Sequence, residues 1–310
     1  MITAVCLNPC IDKMVKVDSF IVGGLNRILE STIDGSGKGV NVAIACQQIG
    51  CESACIGFLY DANGQIIQKR LESYQVITDF LWKMGEVRTN LKVADIKNGT
   101  YTEINEKGMA ITEDQIEFIK SKVKEFASKS SIMVFTGSLP QGCPKDFYKV
   151  LIEIAKLEGT KCILDAEGEA LLKGTDAIPY LIKPNIVELE QAIGLRLQSP
   201  MEVYNAALAF IDKGISIVAV SMGSEGAVIT DGEKAYYAPI IPVEVRSTVG
   251  AGDSMVAGFC RAIEMGLPLK EMFRYGVAGA TASVMTEGTQ LIRFSDFEAL
   301  LDRVVIQRIV

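Results

Sequence analysis

The chain has 310 residues, 49% of them hydrophobic and 22% charged, with a formal net charge of -7 and no histidine. That apolar content can fill a sizeable core and excludes bulk disorder. The acidic balance without any basic run excludes a nucleic-acid surface, and no stretch nears the roughly 20 apolar residues that cross a bilayer.

Met1 to Val5 reads as a strand rather than the charged-then-apolar start of a signal peptide. Asn8-Pro9-Cys10 turns the chain at its end and sets Asp12 on the same rim. Met14 to Ile33 alternates polar and apolar residues with no helix between. Gly35-Ser36-Gly37-Lys38-Gly39-Val40-Asn41 then opens a helix from Val40 to Ile49, which Gly50 ends. Val87 to Asn105 alternates again, with Arg88 at its edge and a hairpin turn centred on Asn98-Gly99. Apolar strands follow at Ile132 to Phe135, Cys162 to Asp165, Tyr180 to Ile182 and Ile217 to Val220. Amphipathic stretches such as Lys145 to Lys156 and Val203 to Lys213 lie between them, the rhythm of βαβ units in a mostly parallel sheet. Finally the extended Ile241 to Val245 leads through Ser247-Thr248-Val249-Gly250-Ala251-Gly252-Asp253-Ser254 into a helix over Met255 to Met265, ended by Gly266 and Pro268. These elements predict one α/β domain over residues 1–310, with a small β-sheet lid built from the alternating stretches at about 13–33 and 87–105.

Without histidine there is no Ser-His-Asp triad, no Cys-His pair and no His-ligated metal, so a general base is Asp, Glu, Lys, Tyr or Cys. The strongest local signal is Gly250 to Asp253. Two glycines at a helix start let backbone amides approach an anion, and the helix dipole favours negative charge there. A carboxylate among them would repel phosphate, yet it makes sense if Asp253 takes a proton from a hydroxyl attacking a phosphoryl group. Capping the helix start is an equally weighted use of that Asp. The Gly35 to Asn41 loop is not a P-loop, because Gly39 stands where Ser or Thr is required, and its glycines do not fit the dinucleotide fingerprint. It suits a polyhydroxy or phosphorylated ligand through Lys38 and Asn41, or is a plain turn.

Lys183-Pro184-Asn185, Ser221-Met222-Gly223 and Gly137-Ser138 each follow a strand, and open parallel sheets bind ligands beyond their strands' carboxyl ends. Asn185 and Glu188 lie one helical turn apart, hard oxygen donors that suit Mg²⁺, usually through water. Arg88 can offer a forked donor pair to a phosphate. The eight cysteines form no dense disulfide framework, and the C-x3-C spacings of Cys6/Cys10 and Cys51/Cys55 are not zinc spacings. They read as reduced thiols of a cytoplasmic protein.

In order and content these motifs resemble the PfkB/ribokinase family of carbohydrate kinases. The match runs from Leu7-Asn8-Pro9 through Gly37-Lys38-Gly39-Val40-Asn41 and Lys183-Pro184-Asn185 to Gly250-Ala251-Gly252-Asp253. Within the family the chain is most similar to the phosphosugar branch, through Ser247 to Val256, Arg88-Thr89-Asn90 and Gly137 to Pro140. The resemblance implies a ribokinase-like three-layer α/β sandwich whose sheet lid builds a homodimer. It implies ATP and Mg²⁺ as cofactors and fructose 1-phosphate as first acceptor, with tagatose 6-phosphate and fructose 6-phosphate as alternatives. By the same resemblance Asp253 is the base, and Gly250, Ala251 and Gly252 form the anion hole. Asp12, Gly37, Gly39, Asn41 and Ser138 hold the sugar, and Lys38 and Arg88 hold its phosphate. Lys183, Asn185, Ser221, Gly223, Gly226 and Thr248 border the nucleotide, while Glu188 orients Mg²⁺ water with Asn185 beside it. Ser36 departs from the double glycine usual before that lysine. A catalytically silent sugar or nucleotide sensor is the rival from another class, against which the retained Gly250, Gly252 and Asp253 weigh. A nicotinamide-dependent dehydrogenase is disfavoured by the missing dinucleotide fingerprint.

Overall fold

The computed structural model describes residues 1–310. Its central sheet has ten strands in the order Ile77–Lys83, Ser53–Tyr60, Ile2–Cys6, Ile132–Thr136, Lys161–Asp165, Leu181–Ile182, Ile217–Ser221, Ala227–Thr230, Ala235–Ala238 and Gln307–Arg308. The first seven are parallel, and the last three join antiparallel. Every residue of Ile2–Cys6, Ser53–Tyr60 and Ile132–Thr136 is buried. Strands covered on both faces carry continuous apolar runs, which is how these segments read in the sequence.

The helices contact one another in two series. One contains Lys38–Gln48, Ala251–Glu264, Leu269–Val284 and Phe294–Leu301; the other contains Glu113–Ala127, Phe147–Leu157, Gly168–Thr175, Ile186–Ile193 and Pro200–Ile211. The first strand touches a helix of each series, so the sheet is the middle of three layers. The expected α/β sandwich is present.

Four further strands form a separate sheet in the order Ile28–Ser36, Cys10–Val17, Arg88–Asp95 and Thr100–Asn105. The middle pair is parallel and aligns Cys10 with Arg88 and Asp12 with Asn90. The last pair is antiparallel and sets Lys92 opposite Glu103. The turn between its strands carries Gly99 at φ 63, and the Asp95 carboxylate accepts hydrogen bonds from the Asn98 backbone and side chain. The two sheets differ in how they are held. The main layer shares one cluster of 81 buried apolar residues, whereas the small sheet has only Val15, Val17 and Val93 at its own centre.

Parallelism carries the carboxyl ends of Ile2–Cys6, Ile132–Thr136, Lys161–Asp165, Leu181–Ile182 and Ile217–Ser221 to one rim. Two helices also begin there. Lys38–Gln48 can start flush on the first strand because its second residue is Gly39, where a β-carbon would lie 2.7 Å from Cys6 Cβ. Ala251–Glu264 starts after Gly250, whose φ of 79 is left-handed and where a β-carbon would lie 2.3 Å from Leu291 Cδ2.

Candidate active site

Between the rim and the small sheet lies a cavity of about 530 Å³ whose lining has few apolar side chains. Asp253, the third residue of its helix, is 5% exposed and reaches this cavity. Its Oδ2 accepts a 2.9 Å hydrogen bond from Asn41 Nδ2 on the neighbouring helix start. Ser36 Oγ donates to Asn41 Oδ1 at 3.4 Å, which turns the amide so that its nitrogen faces the carboxylate. The serine that stands where a glycine is usual therefore has a local use.

Burial pushes the Asp253 carboxyl up to about 6 and Asp165 adds to this, against the lowering pull of Lys38, Asn41 and Lys183. A carboxyl in that range can be ionised at neutral pH and still accept a proton. Gly250 and Gly252 line the same cavity, and a β-carbon on Gly252 would lie 3.3 Å from Lys183 Nζ. The glycines at this helix start thus adjoin an ammonium group.

Asp165 ends its apolar strand and is 1% exposed. Its Oδ1 stands 3.2 Å from Lys183 Nζ and 3.6 Å from Lys38 Nζ, ionic contacts rather than aligned hydrogen bonds. Thr136 Oγ1 donates to Oδ2 at 3.3 Å. Burial alone raises the Asp165 carboxyl, but the two lysines and Thr136 outweigh it and hold the group below its ordinary range. In turn Asp165 raises the Lys38 ammonium well above its usual value, against burial. Two lysines are thus gathered on one carboxylate beside Gly250 and Gly252.

Asn185 and Glu188 cap their helix reciprocally. The Asn185 backbone N–H donates to Glu188 Oε2 at 2.8 Å, and the Glu188 N–H donates to Asn185 Oδ1 at 2.9 Å. Burial raises the Glu188 carboxyl, partly offset by that Asn185 N–H and by Lys38. The oxygen of Asn185, expected beside a metal, is therefore committed to the cap, which leaves Glu188 as the donor with a second carboxylate oxygen. No group of three or more His, Cys, Asp or Glu side chains converges anywhere in the chain. This donor set does not build a metal cage. It fits at most a hydrated Mg²⁺ ion that meets the protein through water.

The small sheet contributes the opposite wall. Arg88 donates from Nε and Nη2 to the Asn8 carbonyl at 3.4 and 3.3 Å, and from Nη1 to Asn90 Oδ1 at 3.2 Å and the Glu106 carbonyl at 3.1 Å. Lys38 and Arg88, expected to share one phosphate, thus have separate partner sets, Asp165 for one and Asn8, Asn90 and Glu106 for the other. Asn90 Nδ2 donates to Asp12 Oδ1 at 3.3 Å, and Lys92 Nζ lies 3.4 Å from Asp12 Oδ2. Asn8 Nδ2 donates to Ser138 Oγ at 3.0 Å, joining the turns that follow two adjacent rim strands.

Of the residues singled out in the sequence, Asp12, Gly37, Lys38, Asn41, Arg88, Ser138, Lys183, Asn185, Glu188, Ser221, Gly250, Gly252 and Asp253 line the cavity. Gly39, Ala251, Thr248, Gly223 and Gly226 do not. Gly39 lies beneath the helix start. Gly226 shapes the turn after Ser221, since its φ is 89 and a β-carbon would sit 2.1 Å from the Ala238 carbonyl oxygen. Sequence reasoning missed Asp165 and Thr136 on the rim and Asn90, Lys92, Glu103 and Asn105 on the small sheet. The period-2 placement of Arg88, Asn90 and Lys92 was the available signal for that wall.

Residues 5–294 match the family described as pfkB family carbohydrate kinase. The chain is 36% identical to 1-phosphofructokinase of Bacillus subtilis (strain 168) over 289 residues, 93% of each protein. It is 30% identical to tagatose-6-phosphate kinase of Staphylococcus epidermidis over 309 residues, 99% of each. Among solved structures, phosphofructokinase-2 from Escherichia coli in complex with substrates and products superposes with a TM-score of 0.92 at 30% identity, covering 97% of this chain and 98% of that one. With motifs, sheet order and full-length similarity in agreement, the chain belongs to the pfkB family of carbohydrate kinases.

Proposed function

We propose that the protein transfers the γ-phosphoryl group of ATP to a hydroxyl of a sugar phosphate, with fructose 1-phosphate the first acceptor and fructose 1,6-bisphosphate the product. The observation that carries this reading is the buried Asp253 carboxylate, raised to about 6 and held by Asn41 beside the Gly250 and Gly252 helix start. In this reading the acceptor hydroxyl gives its proton to Asp253 as its oxygen bonds to the γ-phosphorus, and the bond to the β,γ-bridging oxygen breaks. Amides of the Gly250 to Gly252 segment, with Lys183, meet the charge on the transferring group. The ionic pairing through Asp165 supports Lys38 at this transfer centre, while Arg88 suits the phosphate already on the acceptor. Asp12, Asn41 and Ser138 hold sugar hydroxyls, Gly37 lets the acceptor approach, and Ser221 and Asn185 border the nucleotide. Magnesium bound to the nucleotide would shield its phosphates, with Glu188 holding one of its waters.

The four-stranded sheet acts as a lid, and its exposed Leu29, Ile33 and Tyr101 support a homodimer formed through it. Free cysteines, seven of the eight buried, support a cytoplasmic setting. The relatives named for tagatose 6-phosphate and for phosphofructokinase-2 keep tagatose 6-phosphate and fructose 6-phosphate as competing acceptors. A coupled ATP-consumption assay with all three phosphosugars decides among them. We expect the highest kcat/KM on fructose 1-phosphate. No consumption with any of them would reject kinase activity on phosphosugars and favour the sensor reading.

A further inference from the structure

Lys92 is a buried charged residue of the small sheet to which the sequence pattern gives no purpose. It is 9% exposed and lines the cavity, two residues beyond Asn90 on the same strand and on the same face. An ammonium on a buried sheet face is unfavourable unless a charge compensates it. Its ionic partner is Asp12, 3.4 Å away, itself only 7% exposed. The other Asp12 oxygen accepts from Asn90 Nδ2 at 3.3 Å and from the Cys10 thiol at 3.8 Å. Both oxygens are therefore steadied by the sheet that carries the carboxylate. Glu103, opposite Lys92 in the strand register, is exposed and makes no ion pair with it.

We propose that Lys92 is a positioning residue for acceptor binding. It holds the Asp12 carboxyl group fixed in direction against the hydroxyls of the sugar, and so tunes acceptor recognition through Asp12 rather than through the transferred phosphoryl group. The inference rests on the sugar-phosphate kinase reading above. Removing the ammonium leaves Oδ2 of a buried carboxyl group without its partner and held only through Oδ1, which weakens acceptor binding and leaves the nucleotide side intact. A double-mutant cycle isolates such a dependence, because two groups acting as one unit are non-additive.

The experiment measures steady-state kinetics of the full-length wild type, Lys92→Met, Asp12→Asn and the double variant, with ATP and whichever phosphosugar the wild type prefers. Lys92→Met should raise acceptor KM about tenfold, equivalent to about 1.4 kcal/mol, with kcat and the KM for ATP changed less than about threefold. Lys92→Arg should recover most of the loss. In the Asp12→Asn background the Lys92→Met change should add little. Unchanged acceptor KM in Lys92→Met, or full additivity in the double variant, overturns the proposal. Thermal melting of each variant separates misfolding from function, and if Lys92→Met does not fold, the milder Lys92→Gln is measured against the same criteria. A wild type inactive on every phosphosugar instead fails the underlying reading, a result distinct from any mutant outcome.

Discussion

The rim of the central sheet and the inner face of the small sheet line one cavity, yet they bear their polar groups in different ways. Rim strands are buried on both sides and spend their length on apolar residues, so Asp165, Lys183 and Ser221 occur only where a strand ends. The small sheet has one face on the cavity and places a polar group at every second residue, Arg88, Asn90 and Lys92 along a single strand. A large shared core fixes the first wall, and three buried valines with hydrogen-bonded cross-strand partners fix the second. In the proposed reading the rim thus holds the groups for phosphoryl transfer together with Asn41 and Ser138 for the sugar, and the lightly anchored wall adds Asp12 and Arg88 for the acceptor.

Perturbing each wall separately tests that division. The largest effect is expected on the rim. Asp253→Asn should lower kcat roughly 10² to 10⁴-fold while nucleotide affinity, followed by titration calorimetry, stays close to wild type. Near-normal turnover would remove Asp253 as the base and leave it a helix-capping residue.

The same substitution should stabilise the fold. The Asp253 carboxyl is raised from 3.8 to about 6, so ionising it costs folding free energy, fully at pH above about 6 and not at all below about 3.8. About two pH units at about 1.4 kcal/mol each gives an upper bound of about 3 kcal/mol. Asn can still accept the hydrogen bond from Asn41. Denaturant unfolding at pH 8 should show the variant more stable than the wild type, with the advantage fading as pH falls from about 6 towards 4. A gap independent of pH would mean that the carboxyl is not raised.

On the small sheet, Arg88→Ala should lower kcat/KM for the phosphorylated acceptor roughly 10 to 100-fold, the worth of a charge-assisted contact of about 1.5–3 kcal/mol. The weak use of the unphosphorylated sugar should change little. Equal losses on both would make Arg88 a brace for the Asn8 and Glu106 carbonyls and nothing more.

Much of the rim is legible in the amino-acid sequence. Glycines at a helix start followed by a carboxylate, and polar residues after apolar runs, are local signals, and Gly250, Gly252, Asp253, Lys183 and Ser221 all carry them. Asp165 is hidden because a carboxylate closing an apolar strand looks like ordinary strand termination until two lysines from distant segments meet on it. Gly226 is ambiguous for the opposite reason, since a tight turn against Ala238 requires a glycine there whether or not a ligand lies beside it. Asn90 and Lys92 are hidden by alternation itself. Period 2 says which residues share a face, but not that the polar face of this particular strand turns inward.

The bond from Asn41 to Asp253 makes the two oxygens of one carboxylate unequal. Oδ2 is occupied by the amide nitrogen, and Oδ1 is the oxygen without a hydrogen-bond donor. A polyol offers several alcohols of nearly equal acidity. If Asp253 is the base, as proposed, one that accepts from a single direction would select among them by the angle of approach, and Asn41 would then set which hydroxyl reacts.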